Sequence, residues 1–360
     1  MKRYVNRRRG ALIGALLFLL FLQGQAEKDP DYPNKKIRWV TNTDGNRTVS
    51  GSFGYELDSI QSGDTILFAD ELANETITIT TNLMSNRTVK NGIFTVIGNG
   101  VTITSNPTAR GIYFGQSNSE ADSAVMENMR FKNATVLSAS ASNGLVRSMC
   151  MRNCIFISDA ATPSPVSPMP YSDAVPSVCR FEGCIFIGAG ELGASQASKS
   201  MIELRDKEGI NVQFVSCTFI NNDKNRIIIG RPASPPTKPV SVSFTNCVVL
   251  HPEATEAKPS IDITTANKIN FSSNGYNVIK GLVGNGAYNA DAAWKLPTDV
   301  YLPANAEDVI LKEEDGIYKV HVGTNAAQGL AYRRLPPNPG NLLPEVHFPK
   351  KDLTGTPIDY

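Results

Sequence analysis

Four stretches decide the fold: MRNCIFI at 151–157, FEGCIFI at 181–187, FVSCTFI at 214–220 and FTNCVVL at 244–250. Each carries a cysteine at its centre. Cys154, Cys184, Cys217 and Cys247 are separated by 30, 33 and 30 residues. A period of that size marks a chain that coils and returns to the same place. Weaker copies flank the series: FKNATVL at 131–137, with Ala134 at the cysteine position, and FSSNGYNVI at 271–279, with Asn274 there.

The geometry of one coil follows from parity. Phe181 and Cys184 are three residues apart, so they cannot face the same way along one flat strand, where side chains alternate. A bend between them must reset the alternation. The residue before the cysteine is Asn153, Gly183, Ser216 or Asn246, with Asn133 in the earlier copy. Asn and Gly accept a left-handed backbone at low cost. The unit therefore reads as strand, one left-handed residue, strand, with the cysteine and the residue two later pointing inward.

A further strand lies upstream in each coil: SMIELR at 200–205, NRIIIGR at 225–231 and KPSIDIT at 258–264. Alternation assigns Ile202, Leu204, Ile227, Ile229, Ile261 and Ile263 to the inside. It leaves Glu203, Ile228 and Asp262 outside. Loops of unequal length join the strands, the longest being the proline-rich run at 158–177. A constant core with variable corners is the pattern of a solenoid. The fold class is all-β: a single-stranded right-handed parallel β-helix of about ten coils, from Arg38 to Ile279.

The ends read differently. Lys2, Arg3, Arg7, Arg8 and Arg9 precede an apolar run from Ala11 to Leu22, and Gly24-Gln25-Ala26 closes it with small residues. That order is a secretory signal peptide, and the run is short for a membrane span. The expected divisions are signal peptide 1–26, linker 27–37, β-helix 38–280 and a less regular C-terminal cap 281–360. The whole chain carries +1, and removing the five basic leader residues leaves −4. A mildly acidic chain without a basic run does not suit nucleic acid. The expected product is a monomer that is secreted, periplasmic or held at the cell surface, with no transmembrane segment after the leader.

The bend asparagines Asn133, Asn153 and Asn246, and the Cys-x-Phe or Cys-x-Val that follows a bend, resemble the pectate-lyase-like superfamily of right-handed parallel β-helices. WVTNTDG at 39–45, SGDTILFADEL at 62–72, ETITITTNL at 75–83 and FTVIGNGVTIT at 94–104 are similar to the opening coils of secreted bacterial members. SSNGYNVI at 272–279, DGIYKVHVGTNAA at 315–327 and FPKKDLTGTPI at 348–358 resemble the closing segments of choice-of-anchor-type and uncharacterised Bacteroidetes β-helix proteins. The resemblance implies polysaccharide chemistry. Lyases and hydrolases of that superfamily use the exposed face of the upstream strand, where acids bind Ca²⁺ or work as an acid/base pair.

The residues themselves supply little of that chemistry. The cysteines read as an inward packing ladder, structural together with Asn133, Asn153 and Asn246. The spacings of CMRNC at 150–154 and CRFEGC at 179–184 do not exclude zinc, but His251, His321 and His347 all lie away from the cysteines. A disulfide is the other alternative, and Cys150 with Cys179 is the pair to consider. Glu203, Arg205, Asp206 and Asp262 are the catalytic candidates, weak because Ile228 interrupts the acids. No cofactor or metal is expected. Tyr171, Tyr288 and Trp294 are aromatic candidates for stacking on sugar rings. The function expected from all this is non-catalytic binding of a glycan or surface partner through the loops, as in an adhesin. The alternative is a polysaccharide lyase or glycoside hydrolase.

Overall fold

The computed structural model describes residues 36–81, 83–84, 93–105, 111–113, 120–137, 145–158, 166–167, 177–188, 200–205, 210–221, 226–231, 240–250, 261–263, 269–280, 296–302, 309–314 and 317–322. The leader at 1–26, most of the linker and the segment at 348–358 lie outside them. The chain divides into a unit 1–36 and a unit 37–360, and the second carries the fold.

Three parallel sheets run along that unit, of nine, nine and seven strands. The middle coils each contribute one strand to each sheet, in a fixed order around the turn. The pre-bend sheet stacks Ile37–Val40, Thr65–Phe68, Ile93–Ile97, Glu120–Glu127, Leu145–Arg152, Ser177–Glu182, Ile210–Val215, Val240–Thr245 and Ile269–Ser273. The post-bend sheet includes Arg130–Lys132, Ile155–Ser158, Ile185–Gly188, Thr218–Asn221 and Val248–Leu250. The third sheet holds the upstream strands, among them Ser200–Arg205, Arg226–Arg231 and Ile261–Ile263. Every pairing within these sheets is between successive coils, as a parallel β-helix requires. An antiparallel hairpin, Val309–Glu314 with Ile317–Val322, follows near the C-terminus.

In five successive coils the bend between the first two sheets is one left-handed residue. Asn128, Asn153, Gly183, Ser216 and Asn246 have φ of 57°, 50°, 62°, 51° and 51°. At each one the backbone N–H turns along the axis and donates to the next coil, as Asn153 does to the Glu182 carbonyl at 2.9 Å. The residue after the bend points inward. Cys154, Cys184, Cys217 and Cys247 are all buried.

Two of the weaker copies sit elsewhere than their letters suggest. Phe131 pairs with Phe156, so FKNATVL begins on a post-bend strand and runs around the next corner. The bend of that coil is Asn128, and Met129 holds the cysteine position, its carbonyl accepting from Ile155 N. Asn133 is left-handed too, with φ of 55°, but it turns the next corner, between Arg130–Lys132 and Thr135–Leu137. Ala134 is buried at that corner and not in the cysteine column. Downstream, Phe244 pairs with Ser273 whereas Val248 pairs with Val278, so the coil carries one residue more. Gly275 and Tyr276 absorb it with φ of 97° and 63°. Asn277, not Asn274, therefore stands beside Cys247.

The core is built from aromatic columns. Phe156, Phe186 and Phe219 stack at centroid distances of 4.8 Å on the post-bend side. Phe181, Phe214 and Phe244 stack at 5.1 and 5.3 Å on the pre-bend side. The two columns meet edge to face, as Phe214 and Phe219 do at 79°. Rung spacing sets the ring spacing, so each ring rests on the one before it. At the N-terminal end the helix Phe53–Asp58, N-capped by the Ser52 hydroxyl, buries Phe53 and Leu57 against this core.

Candidate functional site: the outer face of the pre-bend sheet

On the third sheet the backbone register corrects one expectation. Ile202 pairs with Ile228, and Ile228 with Ile261. Glu203 pairs with Ile229, and Ile229 with Asp262. The residue between the two acids is thus Ile229, because Arg226–Arg231 enters the sheet one residue later than simple alternation of NRIIIGR suggests. Arg205 pairs with Arg231, and Asp206 lies outside the described residues. Tyr171, Tyr288 and Trp294 lie outside them as well. The strands bring Glu203 and Asp262 no closer than two rungs, about 9.6 Å.

The pre-bend sheet holds a different assembly. Its register links Trp39 to Leu67, Leu67 to Ile97, Ile97 to Glu127, Glu127 to Arg152 and Arg152 to Glu182. Their neighbours along each strand, such as Val40, Ile66, Val96, Met126, Met151 and Phe181, are buried in the core. Alternation therefore puts this whole column on the outer face. Its first half is apolar, and Trp39 is 48% exposed. Its second half is charged.

In the charged half, Arg152 bridges two coils. Its Nη1 donates to Glu127 Oε1 at 2.9 Å and its Nε to Glu182 Oε2 at 2.9 Å. Arg180 Nε donates to Gln213 Oε1 at 3.0 Å and lies 3.9 Å from Glu182 Oε1. Glu182 is only 2% exposed, and its Oε1 accepts no hydrogen bond. Arg152 is the most exposed member, at 35% of its side chain. Two carboxylates thus converge on one guanidinium, with a second guanidinium alongside. Among the described residues no three His, Cys, Asp or Glu gather as metal ligands. Two engaged carboxylates fall well short of the six to eight oxygens that Ca²⁺ takes.

The cysteines separate into two kinds. All six are free thiols. Cys179 pairs with Met149 and faces the core, whereas Cys150 pairs with Arg180 and faces outward beside the charged cluster. The two are one residue out of register and on opposite faces, so they cannot form the disulfide considered above. In the inward column each thiol lies near a carbonyl of the coil before, as Cys217 Sγ does to Phe181 O and Cys247 Sγ to Phe214 O, at 3.3 and 3.4 Å. Asn277 continues the series by donating from Nδ2 to Phe244 O at 3.3 Å. It is held by Asp299, whose Oδ1 accepts from Asn277 N at 3.0 Å. Burial pushes the Cys154, Cys184 and Cys217 thiols well above the usual thiol range. Such thiols are inert packing groups and not nucleophiles.

Sequence reasoning missed the pre-bend cluster because its members stand 25 and 30 residues apart and follow no motif. Coil length was the available signal: adding one coil to Glu127 reaches Arg152, and one more reaches Glu182. No family model matches the chain. No curated protein matches it either. Among solved structures the chain is similar to the one described as the 1.7 Å crystal structure of Jun a 1, the major allergen from cedar pollen. The two are 14% identical over 82% of this chain and 87% of that one, with a TM-score of 0.38.

Proposed function

We propose that this protein is an exported, polysaccharide-directed β-helix whose working site is the Glu127–Arg152–Glu182–Arg180 cluster. The observation that carries this reading is Glu182: a buried carboxylate with one oxygen left without a hydrogen bond. That oxygen, Oε1, has only the 3.9 Å ion-pair contact with Arg180 Nε, and a buried oxygen without a hydrogen bond costs stability, on the order of 1–3 kcal/mol. A buried group without its hydrogen bond calls for an explanation, and a catalytic role is one.

Cleavage, as a lyase or glycoside hydrolase, is the form this observation favours. A carboxylate with a spare oxygen can take or give a proton at a glycosidic bond, and Glu127 supplies a second carboxyl held by the same guanidinium. Arg152 covers Glu182 and has to swing outward for a sugar to reach it. Such chemistry runs without a resident metal. Retention without cleavage, as in an adhesin, is the second reading. It is supported by the mutual neutralisation of two Glu and two Arg, which leaves a polar but uncharged rim.

The test pairs a reducing-end and unsaturated-product assay with a glycan array, on wild type and Glu182→Gln. Metal-independent cleavage of one polysaccharide, lost at least a hundredfold in Glu182→Gln that keeps the wild-type circular dichroism spectrum, is the expected result. Array binding without any product, equal in both proteins, would select the adhesin form. Neither binding nor product would overturn the polysaccharide reading. Export is tested separately: N-terminal sequencing of the mature protein should begin at Glu27.

A further inference from the structure

The apolar half of the same outer column has no role in the chemistry just described, and it is unusual for a sheet surface. Ile37 and Trp39 are 54% and 48% exposed on the first strand, and Leu67 and Ile97 continue the Trp39 column half-buried on the next two strands of the pre-bend sheet. Ile93, 43% exposed, stands apart on the third strand beyond Thr95. Isolated exposed apolar residues are ordinary, but a contiguous apolar face marks an interaction surface. We infer that this face is a binding platform for uncharged sugar residues of an extended polysaccharide that lies along the helix axis and reaches the charged cluster. The inference rests on the polysaccharide reading above and adds the ligand class and its direction.

Three observations point to that occupant. The first is aromatic geometry: a half-exposed indole on a flat sheet presents an apolar surface with a polar N–H edge, the shape that packs on the C–H face of a pyranose ring. The second is charge. The remaining outward positions of these strands, Thr65 and Thr95, are neutral, so nothing on the platform pairs with a uronate or a sulfate. The third is continuity. One register column runs from Trp39 through Leu67 and Ile97 to Glu127 without a break. Trp39 and Glu127 are three rungs apart, about 14 Å at the spacing of parallel strands. An extended chain of a few sugar residues spans that distance, whereas a single small ligand does not.

The experiment uses the full mature chain. The sequence holds two tryptophans, so Trp294→Phe leaves Trp39 as the one reporter. Affinity electrophoresis and fluorescence titration are run with soluble xylan and hydroxyethylcellulose as neutral β-1,4-linked probes, and with polygalacturonate as the acidic comparison. Expected are binding of a neutral probe, protection of Trp39 from iodide quenching, and a Kd raised at least tenfold by Trp39→Ala and largely restored by Trp39→Phe. If a probe binds but Trp39→Ala binds it equally, the platform is overturned and the proposed function stands. If polygalacturonate alone protects Trp39, the neutral ligand class is overturned. If no polysaccharide binds or is cleaved, both fall together. Melting curves of the Trp39 variants confirm folding, and since Trp39 is not a core residue they should match wild type.

Discussion

Single residues decide whether a coil closes. At Asn246 the backbone has φ of 51°, and the side chain donates from Nδ2 to Ser216 Oγ in the coil before, at 3.1 Å. Asn246→Gly keeps the bend and loses one part-buried hydrogen bond. Asn246→Val forces a β-branched residue into the left-handed region, which costs roughly 1–3 kcal/mol more. Urea unfolding of the two variants should rank them in that order, and equal midpoints would remove strain from the account. Cys150 offers a second test, on the outer face. Burial first, and the Glu182 charge second, push its thiol up to about 12 from 9.0. The native state keeps the proton while the unfolded chain releases it, so the stability Cys150 contributes is whole below pH 9 and is lost as pH rises toward 12. Unfolding free energy should therefore fall more steeply over that window in wild type than in Cys150→Ser. Parallel slopes would show that the thiol titrates alike in both states.

At the scale of the strand and its column, the four-fold cysteine series made the pre-bend and post-bend sheets readable. Phe181, Cys184 and Phe186 could be placed inside from parity and one bend alone. The reading slipped where coil length changed. Met129 took the cysteine position in a coil of 25 residues, and Asn277 took it after one inserted residue. Neither side chain resembles cysteine, yet both satisfy the local need: Met129 fills an apolar slot, and Asn277 makes the hydrogen bond to the previous coil that the thiols make. Letters alone cannot reveal that equivalence, because it lies in where a side chain reaches. The charged column was hidden for a related reason. Glu127, Arg152 and Glu182 acquire meaning only once the register is known, and an error of one residue moves a side chain to the other face. The same dependence misplaced Ile228. The aromatic columns give this scale its prediction. Phe214 touches Phe181, Phe186, Phe219 and Phe244 at centroid distances from 5.1 to 6.0 Å. Phe214→Ala should cost about 3–5 kcal/mol. The terminal Phe131→Ala loses one stacking partner, Phe156, and should cost less. Denaturant midpoints in the reverse order would mean the core is not organised as stacked rungs.

Over the whole molecule, several of the described acids are engaged by neighbouring side chains. Asp64 accepts from Arg38 at 2.6 Å, Asp58 from Arg47 at 3.0 Å, and Glu127 and Glu182 share Arg152. Asp299 is tied to Asn277 and to Leu296 N at the C-terminal end of the cysteine column. A divalent cation would have to displace an arginine to gain one or two carboxylate oxygens, and would still lack most of its shell. No helix among the described residues is long and apolar enough to cross a membrane. Adding a chelator should leave the melting temperature unchanged to within about 1 °C, because the native state loses no ligand. Adding millimolar Ca²⁺ should not raise it. The same insensitivity is expected of polysaccharide cleavage or retention. A calcium-dependent rise of several degrees, or product formed only with Ca²⁺ and abolished by Glu203→Gln or Asp262→Asn, would move the working site to the third sheet. It would then make Glu182 a structural partner of Arg152 alone.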